Sequence, residues 1–410
     1  MWEAIRSNRR RSLFLIILMG VVLVVLGFVV GMVIDPQQGG AFGAIAAVGL
    51  WVLMCVVTLT GGDKILLMSS NAHKIEKKDA PRLWNTVEEM TIASGLGSMP
   101  AVYIIEDDIP NAFAVGQKPE KAAVAVTTGL MKRLNRDELQ GVIAHEIGHI
   151  KNLDVRFMTL ASVMVGSVVL ISEVFVRSLF FGAGRRSSRS SKGGGGQAQA
   201  IILIVAIVIA ILAPIVARLL YFACSRRREY LADASSARFT RYPEGLASAL
   251  EKISKRATGA KKKVSRALAP LYIVNPLQSR AAIGLFSTHP PTERRIRILR
   301  SMAGGAGYLE YESAYRQVCG EKRQCIGDGT LQEEEQLISA RAATPEKESK
   351  KQAIEQAREV GDLFDRLAHF LFIPCACGVR IKIPPDFKRR KIPCPHCGRK
   401  HDLSEARELR

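Results

Sequence analysis

Acidic residues are scarce in this chain of 410 residues: 38 Asp and Glu stand against 58 Lys and Arg, a net charge of +20. Part of the excess crowds into one segment, Lys252, Lys255, Arg256, Lys261, Lys262, Lys263 and Arg266. No aromatic residue is interleaved there. That absence disfavours nucleic acid, whose bases stack on rings, and leaves anionic lipid headgroups as the expected partner. The first apolar run, 13–34, lacks a small-residue cleavage site and is too long for the core of a signal peptide. It is expected to stay on the chain as an anchor.

What is abundant is apolar residue, 48% of the chain, and it is strongly clumped. Runs at 13–34, 41–60, 157–181 and 201–223 are each long enough for a bilayer span. The expectation is an integral membrane protein, mainly α, with four transmembrane helices in two hairpins. The last two runs carry charge: Glu173 and Arg177 are spaced to pair across one helical turn, and Pro214 and Arg218 interrupt the fourth. A shallower second hairpin is the alternative. Arg6, Arg9, Arg10 and Arg11 before the first span and Arg226, Arg227 and Arg228 after the fourth favour a cytoplasmic location for both flanks. The Ser/Gly-rich 182–200 loop, with Arg185, Arg186, Arg189 and Lys192, opposes that count without reversing it.

Between the hairpins lies His145-Glu146-Ile147-Gly148-His149. Asn135 and Glu138 have capping-box spacing, and Leu139, Val142, Ile143, Ile147 and Ile150 form an apolar stripe at helical period. Residues i and i+4 share a helix face, so both imidazoles can hold one metal ion while Glu146 reaches a water in the open position. This is the pattern of a zinc metalloprotease. A third protein ligand is required, and Glu229 in Ser225–Asp233 is the best candidate, with Asp233 four residues on. One carboxylate could bind metal while the other orients a ligand imidazole. A solvated acidic pair beside three arginines is the competing reading. Two spans separate His149 from Glu229, which returns both to one side.

Four stretches together resemble the HtpX family of membrane zinc metallopeptidases, relatives of the CAAX-prenyl protease. They are Asn111–Gly116, the HEIGH run with Lys151–Asp154, Ser225–Asp233, and Ser287–Ile296. The likeness covers about residues 1–300. It implies that His145, His149 and Glu229 ligate zinc, that Glu146 is the general base, and that Asp233 orients His145. It further implies that Asn111 lies in an edge strand pairing with substrate backbone. His289 and Arg295 would steady the oxyanion, with Arg294 an adjacent alternative. Residues 63–156 and 224–302 then read as a mostly helical catalytic domain of zincin type. Its small β-sheet would use Ala101–Ile105 and Ala122–Thr127.

Residues beyond Met302 exceed the family's usual extent. A helical extension is expected over 303–372, with an amphipathic helix from Pro345 to Phe372, followed by a ribbon at 373–410. Cys375, Cys377, Cys394 and Cys397 form two short pairs, each followed by glycine. Cytoplasmic thiols stay reduced, so a structural zinc is expected rather than disulfides. His396 and His401 could replace a thiolate. Arg380, Lys382, Lys388, Arg389, Arg390 and Lys391 make the ribbon basic. The leading expectation is an endopeptidase acting on membrane or misfolded proteins at the cytoplasmic face. The alternative is a membrane-anchored adaptor whose ribbon binds a polyanion or a protein.

Overall fold

The computed structural model describes residues 2–116, 118–155, scattered positions from 158 to 177, then 196–257, 290–334, 337–343, 350–368, 370–387 and 391–403. Two long apolar helices open the chain, α1 (Trp2–Ile34) and α2 (Gly39–Ser69). Both are long and apolar enough to cross a membrane, α1 over Ile16–Ile34 and α2 over its whole length. Leu13, Phe14, Ile17, Val21, Val25 and Phe28 remain exposed along α1. Such a stripe recurs at helical spacing where a water-soluble protein would place polar residues. The opposite face of α1 packs as Met19, Leu23 and Leu26 against Ala206, Ala210 and Ala213 of a later helix.

The expected first hairpin differs at its inner end. α2 continues nine residues past Thr60, through Asp63 and Lys64, to Ser69. Its 31 residues span roughly 46 Å at 1.5 Å each, against a hydrocarbon core of about 30 Å. The surplus turns carry Leu66 and Leu67 into the cluster under the sheet, with Ile105, Ile109 and Phe113.

That sheet consists of β1 (Ala72–Lys74), β2 (Ala101–Ile105), β3 (Ala112–Val115) and β4 (Ala123–Thr127), in the order β1-β2-β4-β3. β2 and β4 are parallel and the outer pairs antiparallel. The helix α3 (Pro81–Ser94) links β1 to β2. β3 is therefore an edge strand. α4 (Thr128–Arg133) follows β4, and α5 (Arg136–Lys151) holds the HEIGH run. The capping box forms as expected: Asn135 Oδ1 accepts from Glu138 N and Glu138 Oε2 from Asn135 N, both at 2.9 Å.

The third apolar run falls mostly outside the described residues. Within it Glu173 and Arg177 approach to 4.0 Å across one turn. The fourth run is the first part of α6 (Gly196–Thr240), a 45-residue helix with Pro214 inside it and an apolar stretch at Leu203–Ala217. α7 (Pro243–Ala257) packs against α5, and α8 (Thr292–Arg300) packs against α7. Two of the basic residues expected to face lipid are engaged within the protein: Lys252 with Glu138 at 2.8 Å and Lys255 with Glu251 at 2.9 Å.

The chain divides into two compact units, Met1–Lys74 with Thr86–Thr344, and Ile75–Asn85 with Pro345–Arg410. The division thus falls near Thr344 rather than at Met302. Residues 303–343 join the first unit because their large side chains are buried in it. Tyr308 and Tyr311 of α9 (Tyr308–Cys319) are inaccessible, and Tyr315 stacks edge-on against Tyr230 of α6 at 5.0 Å. Past the short α10 (Asp328–Gln332), Arg341 reaches Asp137 at 2.6 Å and Gln140 at 3.1 Å on α5.

In the second unit, α11 (Lys350–Leu367) precedes two antiparallel hairpins, β5 (Leu371–Pro374) with β6 (Arg380–Ile383) and β7 (Lys391–Pro393) with β8 (Lys400–Asp402). Arg380 pairs with Asp362 at 3.2 Å, and Lys382 pairs with Asp365. Those two cations of the basic ribbon are spent on α11.

Candidate active site

Helix α5 places His145, Glu146 and His149 on one buried face. Two glycines let neighbouring helices close on it. A Cβ on Gly148 would lie 3.0 Å from Ser235 Cβ of α6, and one on Gly141 would lie 2.6 Å from Leu246 N of α7. At that closeness α6 carries Glu229 between the two imidazoles, 3.6 Å from His145 Nε2 and 3.5 Å from His149 Nε2. The three donors lie within 4.8 Å of one another, and all three residues are buried. A tetrahedral site with bonds of ~2.0–2.1 Å has edges of ~3.4 Å. The donor set fits a zinc ion in chemistry and in spacing.

Each imidazole turns its other nitrogen to a carboxylate, which fixes Nε2 as the metal-facing atom. His145 Nδ1 is 3.0 Å from Asp233 Oδ1. His149 Nδ1 is 3.4 Å from Asp154 Oδ2, a role not assigned from sequence. Asp154 returns beneath His149 because Leu153, just past the helix end, adopts φ +57°. In the sequence it stood only as the last residue of the Lys151–Asp154 stretch, with no role attached.

Arg295 of α8 is inaccessible and holds Asp233 with both ends of its fork, Nε to Oδ2 at 2.8 Å and Nη2 to Oδ1 at 2.6 Å. Its Nη1 has no hydrogen-bond partner among the described residues and stands 3.4 Å from Glu229 Oε2. The neighbouring Arg294 bonds Tyr230 instead. Arg295, not Arg294, enters the site. Expected alongside it, His289 lies outside the described residues.

Charges follow from this packing. Burial raises the carboxyl pKa of Glu146; the two imidazoles and the donating Ala114 N–H offset that in part. Burial would lower His149, but its contacts with Asp154 and Glu229 outweigh it and raise it to about 10. His145 is raised by Asp233 and Glu229 against the same burial. Asp233 is lowered: burial opposes ionisation, and the Arg295 charge and hydrogen bonds prevail.

The Ala114 contact also shows which way β3 faces. Asn111, immediately before the strand, accepts from Thr127 N–H at 2.9 Å and so points inward. Alternation sends 113 and 115 inward as well, and leaves the peptide groups of Ala112 and Ala114 on the side away from β4, where Ala114 N–H meets Glu146. Asn111 itself is buried and sets the strand's start rather than lying within it.

The profile of Peptidase family M48 matches residues 77–303, more than half the chain. The chain belongs to the HtpX family of M48 metallopeptidases. A Protease HtpX homolog of Dictyoglomus turgidum is 46% identical over 301 residues, 73% of this chain and 94% of that protein. A Protease HtpX homolog of Listeria innocua is 43% identical over 306 residues, 74% of this chain and 100% of its own. The crystal structure of S. mikatae Ste24p is 18% identical, covers 73% of this chain and 67% of its own, and superposes with a TM-score of 0.38. M48 metallopeptidases use zinc, and with its two membrane-length helices this HtpX relative is a membrane metallopeptidase.

Proposed function

We propose that this protein is a multi-pass membrane zinc endopeptidase that hydrolyses peptide bonds of membrane or misfolded proteins at the cytoplasmic face. The convergence of His145, His149 and Glu229 beside Glu146 carries the reading. Zinc held by those three residues would supply Lewis acidity toward a water and the scissile carbonyl. Glu146 takes the water's proton on a carboxylate oxygen and delivers it to the leaving amine. Its raised pKa suits both transfers, since the best general base titrates near working pH. Asp233 and Asp154 keep the imidazole Nε2 atoms forward. An extended substrate adds to the β3 edge through Ala112 and Ala114, a mode that reads backbone and tolerates many sequences. Arg295 Nη1, with His289, is the donor available to the developing oxyanion.

The location is supported by the helix that carries Glu229. This residue is twelve positions beyond Ala217, the end of the apolar stretch, or roughly 18 Å along α6. A site that close to the bilayer favours membrane-tethered chains. The arginines in the first turns of α1, ahead of its apolar stretch, and those following the fourth apolar run favour the cytoplasmic side.

Glu146→Gln in detergent-purified protein is the test. It should abolish self-cleavage and casein hydrolysis while zinc stays bound, whereas His145→Ala should lose the metal. Proteolysis surviving in Glu146→Gln would overturn the mechanism.

A further inference from the structure

The M48 match stops at residue 303, and a relative matched along 100% of its own length accounts for 74% of this chain. The hairpins from Leu371 to Asp402 therefore need an account of their own. Their hydrophobic core is small: Ile381, Ile383 and Leu403 are buried, flanked by Leu371, Ile373, Phe387 and Ile392. Two-stranded hairpins with so little apolar surface are marginal in water and are commonly held by a metal or disulfides.

We infer that Cys375, Cys377, Cys394 and Cys397 form a second zinc site, closed by four thiolates, that holds the two C-terminal hairpins together. Each hairpin contributes the turn joining its strands. Cys375 N donates to Val379 O at 2.8 Å and Gly378 N to Cys375 O at 2.9 Å. The second turn repeats this, with Cys394 N to Arg399 O at 2.8 Å and Gly398 N to Cys394 O at 2.9 Å. Gly378 and Gly398 both adopt positive φ, +85° and +74°, where a side chain would be strained. The first turn is one residue shorter, C-x-C against C-x-x-C, yet it closes in the same way.

The turns face each other. Cys375 Sγ is 3.5 Å from Cys397 Sγ, and Cys377 Sγ is 3.6 Å from Cys394 Sγ; all four lie within 4.8 Å. A tetrahedral zinc with Zn–S bonds of ~2.3 Å sets sulfur–sulfur edges of ~3.8 Å. All four cysteines are free. The N–H groups of His396 and Cys397 point at Cys394 Sγ, and that of Val379 at Cys377 Sγ. His396 and His401 are not in the donor group. The 16 residues between Cys377 and Cys394 match the spacing of paired cysteine turns that take zinc.

Four protein donors leave no position for water, so this ion takes no part in hydrolysis. Its effect is mechanical. Through Arg380–Asp362 and Lys382–Asp365 the first hairpin holds α11, so metal loss should free that helix as well as the strands.

Metal analysis of the full chain in detergent tests the site. Wild type should carry two zinc per chain, and Cys394→Ser/Cys397→Ser should carry one and keep its self-cleavage. His145→Ala should also carry one, and the combined variant none. Two zinc retained in the cysteine variant, or stoichiometric iron in the wild type, would overturn the proposal. If the cysteine variant does not fold, cobalt-substituted His145→Ala decides. It should show sulfur-to-cobalt charge-transfer absorption, and its absence would equally refute the site. Limited proteolysis should cut within 350–403 only after metal is stripped.

Discussion

Asp233→Asn is the sharpest perturbation of the catalytic site, because three contacts meet on one inaccessible carboxylate. His145 Nδ1 stands at 3.0 Å and the Arg295 nitrogens at 2.8 and 2.6 Å. The amide keeps one acceptor oxygen and loses the charge. Arg295, itself fully buried, is left with Glu229 as its near anion, 3.4 Å away. Glu229 is then drawn toward the guanidinium and away from the imidazoles. Loss of a carboxylate that orients a ligand histidine costs about 10- to 100-fold in metal affinity, or about 1.4–2.7 kcal/mol. An uncompensated buried charge costs a further ~3–5 kcal/mol of folding stability. Chelator-competition titration reads the first effect, and denaturant unfolding of the metal-free protein reads the second. Asp233→Asn/Arg295→Met separates them: removing both charges should restore folding while zinc stays weak. Zinc affinity within twofold of wild type in the single variant would refute the role given to Asp233.

Two further outcomes follow from the same geometry. In the metal-free protein His149 keeps its proton up to about 10, against about 6.5 when unfolded. Its raised pKa stabilises the metal-free fold fully below about 6.5, and that contribution is lost as pH rises through about 10. Zinc must displace the same proton, so apparent affinity should climb with pH across this window, and a flat profile between pH 7 and 9 would contradict it. Gly141→Ala should destabilise by about 1–3 kcal/mol despite alanine's better helix propensity, because the new Cβ meets the Leu246 backbone at 2.6 Å, which cannot rotate away. A raised melting temperature would show that α5 and α7 are less tightly apposed than they stand here.

Local rules made the most chemical parts of the chain readable. His145 and His149 share a face because a helix has 3.6 residues per turn, and the Asn135–Glu138 box announces where that helix begins. The cysteine turns are similarly self-contained, since ligand and glycine lie within four residues of each other. Long-range placement was harder. Glu229 was named as a ligand candidate, yet nothing in its own stretch separated ligand from solvated acid; only the closure of α6 on Gly148 does. Asp154 went unassigned because its role depends on one left-handed residue, Leu153. The packing of Tyr308, Tyr311 and Arg341 into the first unit had no local signature, since each residue is held by partners outside its own segment.

By itself, the sequence determined the apolar helices, the HEIGH face and the paired cysteine turns, because each depends on periodicity or on neighbours a few residues apart. Tertiary structure alone decided which carboxylate sits between the imidazoles, which arginine enters the site and which strand edge faces Glu146. Those outcomes are set by close approach between elements up to about 150 residues apart, and no local pattern encodes that approach.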